Sequence, residues 1–244
     1  FLDFVNIYFM KGILMKTKRI LSLLLVFCLL FTSVNVGFKA SEAPIEVEAA
    51  TTPSTTNYNV FTQTDLTWGS YNTHNSGATI ARNGCGLMSI VNAVYYLNGN
   101  RVDIKALADW AYSSGAYGTS GSNRYKLYPN LAAKFGAKYG FTTPVTWRAA
   151  KATNPELINH LANGGVAVAH VKRHFICLAG YDAATGRILV LDSAPNVEKR
   201  FSSECGNWLT PSELTSDSDY MKVDGYCLMS STVANCSNYT ASAS

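Results

Sequence analysis

A cysteine between two glycines, just before an apolar repeat, is the first feature of this sequence that could do chemistry. Cys85 lies between Gly84 and Gly86. The repeat has the spacing of an amphipathic helix, with apolar residues at Leu87, Ile90, Val91, Val94 and Leu97. Cys85 is therefore predicted at or just inside a helix N-terminus. Unpaired N–H groups and the helix dipole favour an anion there, and the thiolate is the nucleophilic form of cysteine.

The same motif also has a purely structural interpretation. Cysteine is often a small buried apolar residue or half of a disulfide, and the motif alone does not decide between these roles and a nucleophile. The flanking glycines are expected to leave room for a substrate carbonyl to approach the backbone.

A thiol nucleophile needs a base, and the base needs a group that orients it. His174 begins an apolar strand, and Asp192 ends the strand predicted to pair with it. If Tyr181 and Arg187 close that hairpin, His174 faces Ala194, and Asp192 is its diagonal neighbour on the same sheet face. A slip of one residue would put the two side chains on opposite faces. In the first register, Asp192 would hold the imidazole in the tautomer that accepts the cysteine proton.

Other roles are open to these polar residues. A histidine at a strand end is often a hydrogen-bonded structural residue, and an aspartate before Ser-Ala-Pro can stabilise a turn. His170 and His174 are four residues apart, but that spacing joins metal ligands on a helix, not on a strand. We therefore expect no metal and no other cofactor.

A glutamine upstream of the cysteine completes the set of candidates. The side-chain amide of Gln63 could donate to a developing oxyanion, with the backbone N–H of Cys85 as the second donor. Alone, a glutamine is a weak signal, because most glutamines are solvated surface residues.

The elements that must position these residues come in the order helices, then strands. Helices are predicted over 85–97, 102–111, 127–139 (with Pro129 near its start) and from Asn154-Pro155 to about 163. The Gly/Ser/Tyr-rich stretch 113–122 is predicted to be a loop. Strands are predicted over 166–171, 174–181, 187–192 and 220–230. This order is typical of an α+β fold with an antiparallel sheet.

The N-terminal residues are predicted to be a secretory leader over 1–40. Three basic residues, Lys16, Lys18 and Arg19, precede an apolar run over 20–31 that is too short to span a bilayer comfortably. The residues before Met15 look like additional sequence ahead of an ordinary leader. We expect the mature protein to be secreted and extracellular, with no stable membrane insertion after leader cleavage and with the cell wall as one location.

The rest of the chain is divided by composition. We predict a flexible linker over 41–56, a folded domain over 57–231 and a weakly ordered tail over 232–244. Apolar residues make up 48% of the chain and charged residues 15%, which is typical of a globular protein. Residues 41–244 contain 15 Lys+Arg and 15 Asp+Glu, so this part is neutral. No nucleic-acid partner is therefore expected.

Six cysteines leave the redox state open. Apart from Cys85 and one in the leader, Cys28, four remain: Cys177, Cys205, Cys227 and Cys236. They could form two disulfides in three connectivities or remain buried free thiols.

Together these pieces resemble the C39-like (double-glycine-peptidase-like) branch of papain-fold cysteine peptidases. Four segments carry the resemblance: Gln63–Trp68, Asn83–Gly86, His174–Asp182 and Val190–Ser193. The resemblance covers about residues 57–230. It implies a papain-like α+β fold, in which an N-terminal helical part packs on an antiparallel β-sheet. One departure is Leu87-Met88, where the family often has Pro-Thr.

The resemblance also implies roles for the four candidates. Cys85 would be the nucleophile, His174 the base, Asp192 its orienting group and Gln63 part of the oxyanion hole. The expected function is that of a secreted cysteine peptidase acting on a peptide or a peptidoglycan peptide. The sequence does not indicate an oligomeric state.

Two alternatives stay open at this point. One is a cell-wall amidase or endopeptidase of a related papain-like branch, which only the reaction products would distinguish. The other is a non-enzymatic secreted binding protein that retains the fold. Its signs would be Cys85 in a disulfide, or a cleft filled by aromatic side chains such as Trp68.

Overall fold

Residues 60–194, 208–215 and 221–233 are described by the computed structural model of the protein. The predicted leader over 1–40 and linker over 41–56 lie outside these ranges, as does the predicted tail beyond residue 233. In the three described ranges, no helix has both the length and the apolar character needed to cross a membrane.

Helices make up most of the first half of the described chain. In order they are α1 (Ile80–Asn83), α2 (Cys85–Asn98), α3 (Ile104–Ser113), α4 (Arg124–Leu131), α5 (Ala137–Tyr139) and α6 (Pro155–Ala162), with 3₁₀ turns at Thr73–Asn75 and Glu213–Thr215. The side chain of Asp103 caps α3 and that of Asn154 caps α6, each by accepting from backbone N–H groups of the first turn. The predicted helices 85–97 and 102–111, and the one starting at Asn154-Pro155, are confirmed.

The helix predicted over 127–139 has a different form. It begins earlier, at Arg124, because Asn123 caps it by accepting from the N–H of Tyr125. Pro129 therefore lies inside α4 and not near its start. A π-helical turn at Ala132–Gly136 follows before the short α5.

The strands form a six-stranded antiparallel sheet and a small hairpin. The hairpin, β1 (Tyr117–Gly118) with β2 (Gly121–Ser122), lies in the stretch predicted to be a loop. The sheet has the spatial order β3-β8-β4-β5-β6-β7. Its strands are β3 (Phe141–Arg148), β4 (Val166–Val171), β5 (His174–Asp182), β6 (Arg187–Leu191), β7 (Trp208–Leu209) and β8 (Gly225–Ser231). The α+β prediction with an antiparallel sheet is confirmed.

Strand β3 was not predicted from the sequence. It is an edge strand that pairs with β8, and its register shifts between Thr142 and Val145. Pro144 lies in that irregularity, where a residue without an N–H is tolerated. Because β3 precedes α6, the chain does not strictly place all helices before all strands.

Apolar side chains are buried on both faces of the sheet. Val166 and Val168 of β4 belong to the core beneath α2 and α3, whereas Ala167 and Ala169 belong to a second core that includes residues of α6. This two-sided burial explains why β4 and β5 are almost continuously apolar in an antiparallel sheet.

Candidate active site

Cys85 is the first residue of α2, and Gly84 is its N-cap. The cap supplies no side-chain hydrogen bond to the first turn. α1 ends at the same glycine, whose N–H donates to the carbonyl of Ile80 at 2.8 Å. The Cys85 thiol is free and partly exposed. The predicted position of Cys85 at a helix N-terminus is confirmed, and the disulfide alternative for this residue does not hold in the structure.

The glycines on either side of Cys85 serve packing in the structure, and the predicted approach of a substrate carbonyl stays a prediction. A Cβ on Gly84 would lie 2.5 Å from the carbonyl oxygen of Ile80. A Cβ on Gly86 would lie 2.5 Å from Oγ of Ser122, at the end of the β1–β2 hairpin. Gly86 is buried. The glycines thus let α1 and the small hairpin approach the first turn of α2 closely.

His174 and Asp192 are in direct contact. Nε2 of His174 is 2.6 Å from Oδ1 of Asp192, and both side chains are buried. The same carboxylate oxygen accepts from the N–H of Ala194 at 2.8 Å. Since Nε2 faces the carboxylate, Nδ1 is the ring nitrogen left to exchange a proton with a thiol.

The β5–β6 hairpin closes one residue away from the predicted position. Asp182 pairs with Arg187, whereas Tyr181 was predicted to do so. Continued unchanged along the strands, this register would place His174 and Asp192 on opposite faces of the sheet.

A single-residue β-bulge restores the predicted register. Ala179 is the extra residue: Gly180 pairs with Leu189 on one side of it, and Leu178 pairs with Val190 on the other. From this bulge toward the start of β5, the pairing follows the predicted register. The bulge therefore brings His174 and Asp192 to the same face.

The charge state of His174 is set by opposing influences. Burial is the largest one and lowers the pKa of the ring, but hydrogen bonds to Asp192 and Cys85 and the charges of these two groups outweigh it. The pKa of His174 is raised to about 9. The ring therefore keeps its proton at neutral pH, and Cys85 is close enough to help raise its pKa.

Gln63 is buried and held by several contacts. Its Nε2 donates to the carbonyl of Ala81 at 2.7 Å, and its backbone N–H donates to the carbonyl of Ser193 at 2.9 Å. Two residues earlier, both backbone polar groups of Phe61 bond to the side chain of Asn92 on α2, at 2.8 and 3.1 Å. The segment that contains Gln63 is thus hydrogen-bonded to α2 and to Ser193, the residue after Asp192.

A second histidine–aspartate contact, missed from the sequence, lies beside the site. Nδ1 of His170 is 2.7 Å from Asp224 Oδ1, and the guanidinium of Arg124 lies 3.1 Å from the same oxygen. The His170 ring packs edge-on against Phe175, next to His174 in the chain. Burial lowers the pKa of His170, and Asp224 offsets this only in part. His170 therefore belongs to a cluster with Asp224 and Arg124 beside the site.

Over the described residues, no group of three or more His, Cys, Asp or Glu is placed to hold a metal ion.

Two further cysteines lie in the described part of the chain. Cys177 and Cys227 are buried free thiols, and burial raises the pKa of each. The disulfide alternative therefore fails for these two, while Cys205 and Cys236 lie outside the described residues.

The Trp68 indole is bonded to its own segment of the chain. Its Nε1 donates to the carbonyl of Thr62 at 2.8 Å. The indole lines a cavity of about 380 Å³ together with Phe61, Met88, Val91 and Arg101, among others. Neither Cys85 nor His174 lines this cavity.

The fold and the grouped Cys, His and Asp side chains correspond to a papain-like α+β protein. The sequence matches the profile of the Peptidase C39-like family over residues 55–212. This is more than half of the chain, and the protein belongs to that family.

Other comparisons add little to this assignment. The crystal structure of the peptidase domain of Streptococcus ComA, described as a bifunctional ABC transporter involved in a quorum sensing pathway, is similar at 18% identity with a TM-score of 0.34. That similarity covers 62% of this chain and 92% of the ComA domain. No match was found among curated proteins.

Proposed function

We propose that this protein is a cysteine peptidase that hydrolyses amide bonds with Cys85, His174 and Asp192. The observation that carries the proposal is the 2.6 Å contact between His174 Nε2 and Asp192 Oδ1, in a ring whose pKa is also raised by Cys85. A free thiol at a helix N-terminus, a protonated imidazole and a buried carboxylate together form an activated nucleophile. Family membership supports the same reaction class.

The first half of the reaction forms an acyl-enzyme. The Cys85 thiolate attacks the carbonyl carbon and forms a C–S bond, and the carbonyl oxygen becomes an oxyanion. The backbone N–H of Cys85 and Nε2 of Gln63 are the proposed donors to that oxygen. His174 then gives its proton to the leaving nitrogen as the C–N bond breaks, which leaves a thioester and a free amine.

The second half releases the acid. His174, now neutral, takes a proton from water, and the resulting hydroxide attacks the thioester carbonyl. The tetrahedral intermediate collapses with release of the carboxylic acid, and the thiolate and imidazolium are restored. Asp192 keeps the ring oriented and stabilises its charged form throughout.

The proposed substrate is a peptide or the peptide part of peptidoglycan, outside the cell. This part rests on the predicted leader over residues 1–40 and on the neutral charge of residues 41–244. N-terminal sequencing of the protein recovered from culture medium tests export. An intact leader, or protein found only inside cells, contradicts it.

The activity is tested with the mature domain on peptide libraries and purified cell walls. Wild type should release new amino termini, and Cys85→Ala should release none. Cys227→Ala is the matched control, because it removes a buried thiol from β8 and should keep the activity. Absence of turnover by wild type, or equal turnover by Cys85→Ala, contradicts the proposal. Product analysis separates peptidase from amidase cleavage.

A further inference from the structure

Ser193 is a buried residue directly after Asp192, and it contacts Gln63 in two ways. Its carbonyl accepts from the Gln63 backbone N–H at 2.9 Å, and its Oγ donates to Gln63 Oε1 at 3.4 Å. The Ser193 side chain is fully buried, and Gln63 is only 8% exposed. The two contacts join the end of β6 to the segment that carries the proposed oxyanion donor.

The contacts of the Gln63 side chain identify which amide atom is the nitrogen and which is the oxygen. The Ala81 carbonyl can only accept, so the amide atom 2.7 Å from it is the nitrogen. Oε1 then faces Ser193, whose hydroxyl is the donor. One hydrogen of Nε2 is used on Ala81, and the second remains for another acceptor. An amide turned by 180° would present an oxygen to the oxyanion and repel it.

We propose that Ser193 is a positioning residue that holds Gln63 with an N–H directed at the oxyanion. The proposal rests on the proposed function. Donation to Oε1 also polarises the amide, which strengthens its N–H groups as donors. Two neighbouring residues would in this way orient two parts of the site. Asp192 orients the imidazole of His174, and Ser193 orients the side-chain amide of Gln63.

The test is a double-mutant cycle in kcat. Gln63→Ala should lower kcat by roughly 10²–10³-fold, as expected for loss of one oxyanion donor. Ser193→Ala should lower kcat by about tenfold with little change in KM, because it disturbs a donor used in the transition state. In the Gln63→Ala background, Ser193→Ala should have no further effect. Thr73→Val, which removes another buried hydroxyl, is the matched control and should leave kcat unchanged.

A second readout separates positioning from general damage. Alkylation of Cys85 by iodoacetamide needs the thiolate but forms no oxyanion, so Ser193→Ala and Gln63→Ala should react at the wild-type rate. Ser193→Thr keeps the hydroxyl and should recover kcat; if its methyl group lowers the melting temperature, Ser193→Cys gives a sterically smaller comparison with a weak donor.

The outcomes distinguish this inference from the proposed function. If Ser193→Ala lowers kcat equally in both backgrounds, or also slows alkylation, the positioning role is wrong while the peptidase stands. If Gln63→Ala leaves kcat unchanged, Gln63 is not an oxyanion donor, and the inference fails with it. If wild type shows no turnover, the proposed function itself fails.

Discussion

The carboxylate of Asp192 decides the charge of the imidazole beside it. A buried histidine would ordinarily lose its proton more easily than one in water, and burial is the largest influence on His174. The bond to Asp192, helped by Cys85, reverses the direction and raises the pKa of His174 to about 9. At the scale of single residues, the charge of the His174 ring thus depends largely on one short contact between two buried side chains.

Replacing Asp192 by Asn tests this dependence. The amide has nearly the same shape but no charge, so the pKa of His174 should fall below its wild-type value of about 9. Turnover should fall by roughly 10²–10⁴-fold, because the imidazole loses both its orientation and the stabilisation of its charged form. NMR titration of the imidazole resonances, with kcat measured in parallel, gives both quantities. An unchanged titration would show that Asp192 does not control the ring.

Gly86 supports a second prediction at the residue scale. The Cβ of Gly86→Ala would meet Ser122 at 2.5 Å and Phe175 Cδ2 at 3.3 Å, so the hairpin wall beside Cys85 must move. We expect a loss of roughly 1–3 kcal/mol in the free energy of unfolding, as for other overpacked sites. Thermal and urea denaturation measure the change.

The rescue for Gly86→Ala is a second substitution, Ser122→Gly. The buried Oγ of Ser122 has no hydrogen-bond partner, so its removal costs little and takes away the closest contact. The double variant should regain most of the lost stability. If Gly86→Ala is as stable as wild type, or if Ser122→Gly gives no recovery, the packing explanation for this glycine is wrong.

At the scale of elements, the β-bulge in β5 changes the strand register between the hairpin turn and His174. The turn fixes one register and the site needs another, and Ala179 makes up the difference of one residue. The next residue is a glycine, because a Cβ on Gly180 would lie 2.9 Å from Oη of Tyr96. The bulge thus lies where β5 packs closely against α2.

Deletion of Ala179 should remove the bulge and keep the histidine beside the aspartate. The residues on either side of Ala179 would become neighbours in the chain and keep their partners on β6, so His174 and Asp192 stay on the same face. Turnover should therefore stay close to that of wild type. The matched control inserts one glycine after Ala184 in the exposed turn, which changes the chain length but not the strand pairing. Circular dichroism shows whether each variant folds, and a folded deletion variant without turnover contradicts the assignment of Ala179 as the extra residue.

The same elements show how far sequence patterns reach. Cys85 at a helix start and the α6 cap at Asn154 follow from local rules of spacing and capping, and both appear as predicted. The bulge at Ala179 lies beside Gly180, where a Cβ would meet Tyr96, a residue remote in sequence, and no local pattern marks it. Strand β3 was not predicted because it contains Pro144, and a proline argues against a strand. The proline is tolerated because β3 is an edge strand with irregular pairing.

At the scale of the whole molecule, the sheet joins two apolar cores, and His174 and Asp192 lie at the ends of two of its strands. The insertion of β8 between β3 and β4 could not be foreseen, because strand order depends on contacts across the sheet and not on local sequence. Gln63 and Ser193 are 130 positions apart, yet they meet beside Asp192. The site is therefore a property of the folded domain, and its titration must affect global stability.

That link gives a prediction for the pH dependence of unfolding. The pKa of His174 is about 9 in the folded protein, against an ordinary value of 6.5. A raised folded-state pKa means that the stabilisation is fully present below about pH 6.5 and is lost as pH rises to about 9. The loss should be on the order of 3 kcal/mol in the free energy of unfolding. Urea denaturation at several pH values across this window measures it.

Two variants isolate the contribution of His174 from those of other groups. His174→Gln removes the titrating ring and Asp192→Asn removes its partner, so both should flatten the stability profile between pH 6.5 and 9. The buried thiols of Cys177 and Cys227 also have raised pKa values, but their effect begins only above their ordinary value of 9.0. A fall in stability below pH 9 therefore belongs to the histidine. If wild type and both variants lose stability in parallel across the window, the ion pair at the centre of the site does not form in the folded domain.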